Sequence, residues 1–175
     1  MRSPYASADG LEAPGEEVLA TYGSHSNDKL LVHYGFVVSH EPDGHSPDDD
    51  IRIDHLILPT LGESVRDQLQ DVGFLGGYAL LPAENELCFK TQVAVRAMLL
   101  SANEWEHFMG SGEDLTIDHT PNVNAWVQEL LVGYRELAAQ RLAKMDKIEW
   151  NDVARSSLTL RWSQVDDAID RFTED

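Results

Sequence analysis

From Val123 to Met145 apolar residues recur at helical spacing over a longer run than anywhere else in the chain, and this segment sets the architecture. Val123, Trp126, Val127, Leu130, Leu131, Tyr134, Leu137, Ala138, Leu142 and Met145 form one stripe, opened by Pro121 or Asn122. A helix of that length reaches about 35 Å at ~1.5 Å per residue, so it is the backbone of a domain. The other periodic segments must pack along it. Thr91 is the expected N-cap of a helix whose Val93, Val95, Ala97, Met98, Leu99 and Leu100 are apolar on most faces, which places it at the centre of the core. Asn103 is read as the cap of a helix with Trp105, Phe108 and Met109, broken by Gly110-Ser111-Gly112. Leu160, Trp162, Val165, Ala168, Ile169 and Phe172 predict a final amphipathic helix within Val153 to Phe172.

Strand signals are few. Ile51, Ile53 and Leu56 alternate up to Pro59, and Tyr78-Ala79-Leu80-Leu81 and Leu87-Cys88-Phe89 flank PAENE as a hairpin with a loose turn. Between them Val65, Leu69 and Val72 have helical spacing, with Gly73 as C-cap. GFLGGY is no phosphate loop, lacking both the G-x-G-x-x-G order and a Lys-Ser/Thr end.

With 175 residues the chain holds one core of ordinary size and an appendage. Thirty-one acidic against thirteen basic residues leave a formal charge of -18. That charge opposes nucleic-acid and anionic-membrane binding and favours cationic partners, unless it serves solubility alone. Cys88 is the single cysteine, so no intrachain disulfide forms and an intracellular location, cytoplasmic or nuclear, fits. Its apolar neighbours Leu87 and Phe89 mark it as a buried, inert thiol. Five of the seven histidines, His25, His33, His40, His45 and His55, lie near the Asp48-Asp49-Asp50 triplet, but no ligand spacing typical of zinc or calcium accompanies them. They are read as solvated, and no metal site is expected.

The chemistry concentrates between Gly15 and Val38. There Gly-Glu-Glu leads into the strand-like run Val18 to Thr21, which presents Tyr22 just before Gly23. Ser26 is the expected N-cap of a short helix with Leu30, Leu31 and Tyr34, Gly35 ends it, and Phe36-Val37-Val38 reads as a strand. The pattern G-E-E-x4-Y-G-x3-N-x2-L-L-x2-Y-G-F resembles the last segment of a SET domain, the catalytic domain of S-adenosylmethionine-dependent protein-lysine methyltransferases, and within it the group similar to the Rubisco large-subunit methyltransferase. The resemblance implies that Tyr22 is the catalytic tyrosine, that Tyr34 and Phe36 contact the cofactor and line the lysine channel, and that Asn27 is a fold residue.

The fold this implies is mainly α: a helical domain like the Rubisco methyltransferase substrate-binding domain, preceded by a small α/β remnant of a SET domain. Residues 1–13 are expected to be a disordered start, 14–38 the SET remnant, 39–50 an acidic loop or linker, and 51–175 the helical domain. An N-terminal Gly-x-Gly turn and an Asn-His pair supply most of a SET cofactor site; the chain has no Asn-His dipeptide, and nothing before Gly15 is expected to form the early strands. Binding of S-adenosylmethionine by the chain alone is therefore expected to be weak or nil, and residues 14–38, without the strands they would pair with, locally unstable. Two functions stay open. The chain is part of a lysine methyltransferase whose helical domain holds a protein substrate with a lysine-bearing segment, or it is a non-catalytic protein-binding module with a vestigial SET segment.

Overall fold

The computed structural model describes residues 23–39, 46–115, 117–145 and 151–174. They form seven α-helices and one small antiparallel sheet, the mainly α architecture expected: α1 (Asn27–Tyr34), α2 (Asp54–Ile57), α3 (Glu63–Asp71), α4 (Phe89–Leu99), α5 (Ala102–Ser111), α6 (Thr120–Met145) and α7 (Asp152–Glu174), with strands β1 (Ile51–Arg52), β2 (Ala79–Leu81) and β3 (Glu86–Leu87) in spatial order β1-β2-β3. Among the described residues no helix is long and apolar enough to cross a membrane.

The expected hairpin forms, with Leu80 opposite Leu87 in one direction and Ile51 in the other. All three side chains are buried, so this cross-strand row is the sheet's contribution to the core. The strand expected from Ile51 to Leu56 stops at Arg52, because Asp54 starts a helical turn and turns its carboxylate to the Gly-Gly segment instead. Its Oδ1 accepts from the backbone N–H of Gly77 at 2.7 Å and of Tyr78 at 3.1 Å. Gly76 and Gly77 have φ of 81° and 84°, and a Cβ on Gly77 would meet the Lys90 side chain at 3.3 Å. GFLGGY is thus a turn built around a carboxylate, with glycine required where the backbone is left-handed.

Helix α4 begins two residues before the expected cap. Cys88 occupies the N-cap position, and Thr91 is a buried residue of the first turn. Its Oγ1 accepts from the Ala79 N–H at 2.9 Å and donates to the Ala79 carbonyl at 3.2 Å, which fastens the helix to β2. Cys88 is half-buried, with Sγ 3.3 Å from the Thr91 hydroxyl. Val93, Ala94 and Val95 are fully buried, and with Val123, Val127 and Leu131 of α6 and Val165, Ala168, Ile169 and Phe172 of α7 they make up the centre of the core. Helix α5 is capped by Ser101 rather than Asn103. Glu104 reaches back to the Ser101 N–H at 2.9 Å and its hydroxyl at 2.6 Å, the reciprocal arrangement that a Ser-x-x-Glu sequence provides.

Arg96 lies in this core with only 4% of its surface exposed. Its Nε and Nη2 donate to the two Asp114 oxygens, each at 3.0 Å, Nη2 also donates to Thr120 Oγ1 at 2.9 Å, and the guanidinium carbon stands 5.0 Å from the Phe108 ring centroid. The fork ties α4 to the connection between α5 and α6. These hydrogen bonds, together with the His119 N–H, outweigh burial and hold the Asp114 carboxyl below its ordinary pKa. A carboxyl depressed by folding stabilises the protein above its unfolded pKa, near 3.9, and loses that contribution as pH falls through the lower folded value. Amides of residues 112–120 are therefore expected to exchange faster as pH drops below about 4, after correction for intrinsic rates, and Asp114→Asn should reduce that pH dependence to the part carried by Asp118, which the Thr120 N–H also holds below its ordinary pKa, while destabilising the segment at neutral pH. An unchanged acid profile in the Asn variant would show that another carboxylate is responsible.

Candidate functional site

Helix α1 begins after Ser26 and ends at Gly35, as its sequence predicts. Gly35 has φ 78°, and its N–H bonds to the Leu30 and Leu31 carbonyls, both at 3.1 Å. The next three residues differ from expectation: Phe36-Val37-Val38 is not a strand. Val38 still has its backbone groups satisfied, because the side-chain amide of Asn27 does what a neighbouring strand would do. The Val38 N–H donates to Asn27 Oδ1 at 2.9 Å, and Asn27 Nδ2 donates to the Val38 carbonyl at 3.0 Å. Asn27 is 3% exposed and so is a fold residue in the sense expected of it.

The rest of this network comes from far along the chain. Asn27 Nδ2 also donates to Gln164 Oε1 at 3.0 Å, and Gln164 Nε2 donates to the Val38 carbonyl at 2.9 Å. The Asn27 N–H donates to Asp49 Oδ1 at 2.9 Å, the other Asp49 oxygen accepts from Arg161 Nη1 at 2.7 Å, and Arg161 Nε donates to Asp28 Oδ1 at 2.7 Å. Burial alone pulls the Arg161 guanidinium toward a lower pKa, but the carboxylates of Asp28 and Asp49 outweigh it and leave the pKa above the ordinary arginine value. The arginine is therefore a permanent cation. Asp49 was expected in a solvated acidic loop; it is 3% exposed instead, because a buried guanidinium requires a carboxylate beside it.

The structure brings two of the three predicted site residues together. The rings of Tyr34 and Phe36 lie 6.4 Å apart, tilted by 46°, with Tyr34 exposed and Phe36 half-buried. Tyr22 lies outside the described residues, as do the strand expected from Val18 to Thr21, His40 and His45. The described segment accordingly supplies an aromatic edge held by a buried polar network. Among the described residues no group of His, Cys, Asp or Glu side chains is placed to hold a metal ion.

Asp28, Arg161 and Gln164 carry no motif in the sequence, and Asp49 stands out there only as one of the Asp48-Asp49-Asp50 triplet. One signal was available: Arg161 and Gln164 stand three apart, on the same side of α7 as buried Val165 and Ala168. Polar residues on a core-facing stripe require partners, and that requirement is readable from periodicity even though the partners are not.

No family model matches the chain. Over 122 residues, 70% of its length, it is 30% identical to the ribosomal lysine N-methyltransferase set11 of Schizosaccharomyces pombe. The matched stretch is 28% of that protein, so the chain spans under a third of the length of the relative.

Proposed function

We propose that the chain forms part of an S-adenosylmethionine-dependent protein-lysine N-methyltransferase of the SET type, of the group similar to the Rubisco large-subunit methyltransferase, with the helical body of α2 to α7 receiving the protein substrate. The observation that carries this reading is the 30% identity to a lysine N-methyltransferase over 70% of the chain. The Y-G-x3-N-x2-L-L-x2-Y-G-F spacing supports it from the residues themselves.

Methylation of lysine requires a neutral amine, whereas free lysine, with a pKa of ~10.4, is almost wholly charged at neutral pH. In this reading Tyr34 and Phe36 form one wall of the channel, where aromatic faces desolvate and align the ammonium-bearing stem, and the Tyr22 phenol orients the amine or helps remove its proton. S-adenosylmethionine supplies an electrophilic methyl group on a sulfonium, a cation suited to an aromatic edge like that of Tyr34 and Phe36. A basic protein is the substrate that best complements a chain of charge -18. The ribosomal substrate in the relative's name makes ribosomal proteins the first choice.

The test is a chimera in which this chain replaces the matching stretch of the Schizosaccharomyces pombe enzyme, assayed for transfer of labelled methyl groups to ribosomal protein. Methylated lysine is the expected product. A folded chimera that binds ribosomal protein but transfers no methyl group would instead identify the chain as a protein-binding module. The unfused chain is expected to show weak or no heat of binding with S-adenosylmethionine, and saturable micromolar binding would overturn that expectation.

A further inference from the structure

We infer that Arg161 and Gln164 of the last helix are positioning residues for the Tyr34/Phe36 edge, an inference that rests on the reading above for its functional meaning and on geometry for its substance. The segment that bears the two rings has little hold of its own. Val32, Tyr34 and Val38 are all exposed, and Leu30 is the one apolar residue of α1 that is buried. What fixes it is polar and distant: Gln164 bonds to Asn27 across 137 positions, and Arg161 bonds to Asp49 across 112.

The two contacts grip different ends of the segment. Arg161 holds the first turn of α1, directly through Asp28 and through Asp49, whose second oxygen receives the Asn27 N–H. Gln164 holds the exit, since its amide and that of Asn27 converge on one carbonyl, that of Val38. Phe36 lies two residues before that carbonyl and Tyr34 lies four before it, with the left-handed Gly35 between. Fixing both ends of this short path fixes the direction from which each ring is presented.

The choice of residues points to orientation rather than adhesion. A seam that only had to close would be served by leucine, since a buried guanidinium must recover a large desolvation cost through well-placed partners. Although Arg161 Nη2 has no hydrogen-bond partner among the described residues, the network its Nε and Nη1 make with Asp28 and Asp49, joined through Asn27 to Gln164, selects one arrangement among many, because a shifted alternative strands further donors or acceptors. Helix α7 is itself fixed at its far end, where Arg171 donates to the Pro82 carbonyl at 2.9 Å and Gln128 of α6 donates to the Phe172 carbonyl at 2.8 Å. The helical body thus sets the placement of the aromatic edge through one rigid element.

The experiment compares Gln164→Leu, Arg161→Leu and Arg161→Lys in the full chain by amide hydrogen exchange and by the ring resonances of Tyr34 and Phe36. In Gln164→Leu the amides of Leu30 to Tyr34 and of Val38 should exchange about tenfold faster or more, while those of Val93 to Val95 and Val127 to Leu131 change by less than about threefold. Both rings should shift. Arg161→Leu should show the same pattern more strongly, and Arg161→Lys, which keeps the charge but loses the fork, should fall between it and the parent. If Arg161→Leu does not fold, the neutral Gln164 substitution decides alone. Acceleration shared equally by the core amides, or no acceleration in α1, would overturn the inference. In the chimera described above the same Gln164 substitution should weaken the binding of S-adenosylmethionine, in the same sense as loss of either ring, and leave the KM for the protein substrate unchanged. Inactivity of the unsubstituted chimera would count against the methyltransferase reading, with the exchange data still deciding whether α7 positions the edge.

Discussion

Replacing Arg96 with Ala is expected to lower the free energy of unfolding by about 3–5 kcal/mol, the range found when one partner of a buried ion pair is removed. Three losses combine in that number. Asp114, with a side chain 8% exposed, is left without the guanidinium that neutralises it, Thr120 loses a donor, and the ring of Phe108 loses the cation stacked on its face. Urea denaturation should report the loss as a lower midpoint with an unchanged slope, since the same surface is exposed on unfolding. The double variant Arg96→Leu/Asp114→Leu should recover most of the loss, because no stranded charge remains and leucine refills part of the volume. A cost below about 1 kcal/mol for the single variant would mean that water reaches Asp114 and that the fork contributes little more than a surface pair.

The other large effect concerns turnover. Tyr22→Phe in the active chimera retains the ring and deletes one hydroxyl. If that oxygen orients the amine or helps remove its proton, the rate should fall by roughly 10²- to 10⁴-fold, the range for losing one positioned proton-transfer group, with little change in affinity for S-adenosylmethionine. Tyr34→Ala and Phe36→Ala should act in the opposite sense, weakening cofactor binding through lost packing while leaving proton transfer in place. Kinetics and titration therefore separate the phenol from the walls. Parent-rate methylation by Tyr22→Phe would remove Tyr22 from the chemistry and leave it an ordinary packed tyrosine.

Local signals in the sequence were sufficient wherever structure is determined by neighbours along the chain. Ser26 and Gly35 bound α1, the long stripe gives α6, and the PAENE turn joins β2 to β3 as expected. Prediction failed where a side chain took over a backbone role. Phe36 to Val38 has the composition of a strand, but its partner is the amide of Asn27, and propensity carries no information about that. Thr91 has the composition of a cap, yet its hydroxyl bonds across to Ala79, and the helix starts at Phe89. Asp49 resembles the solvated acids beside it, and only the arrival of Arg161 distinguishes it. The aromatic pair of the candidate site was legible because a motif fixes its spacing, and so was Asn27; Arg161 and Gln164 were not, because they come from beyond residue 160.

That separation has a kinetic consequence. Synthesis runs from the N-terminus, so the segment around Asn27 leaves the ribosome more than a hundred residues before Arg161 and Gln164 exist to receive it. At about 5–20 residues per second this is an interval of several seconds or longer, during which the core of β2, α4 and α6 has time to assemble. Contacts of such long range add little to the early steps of folding, because closing a large loop costs entropy before it is rewarded. The seating of α1 is then a late event that waits for the last helix. A nascent chain stalled before residue 160 should therefore have its first helix still open to protease cleavage.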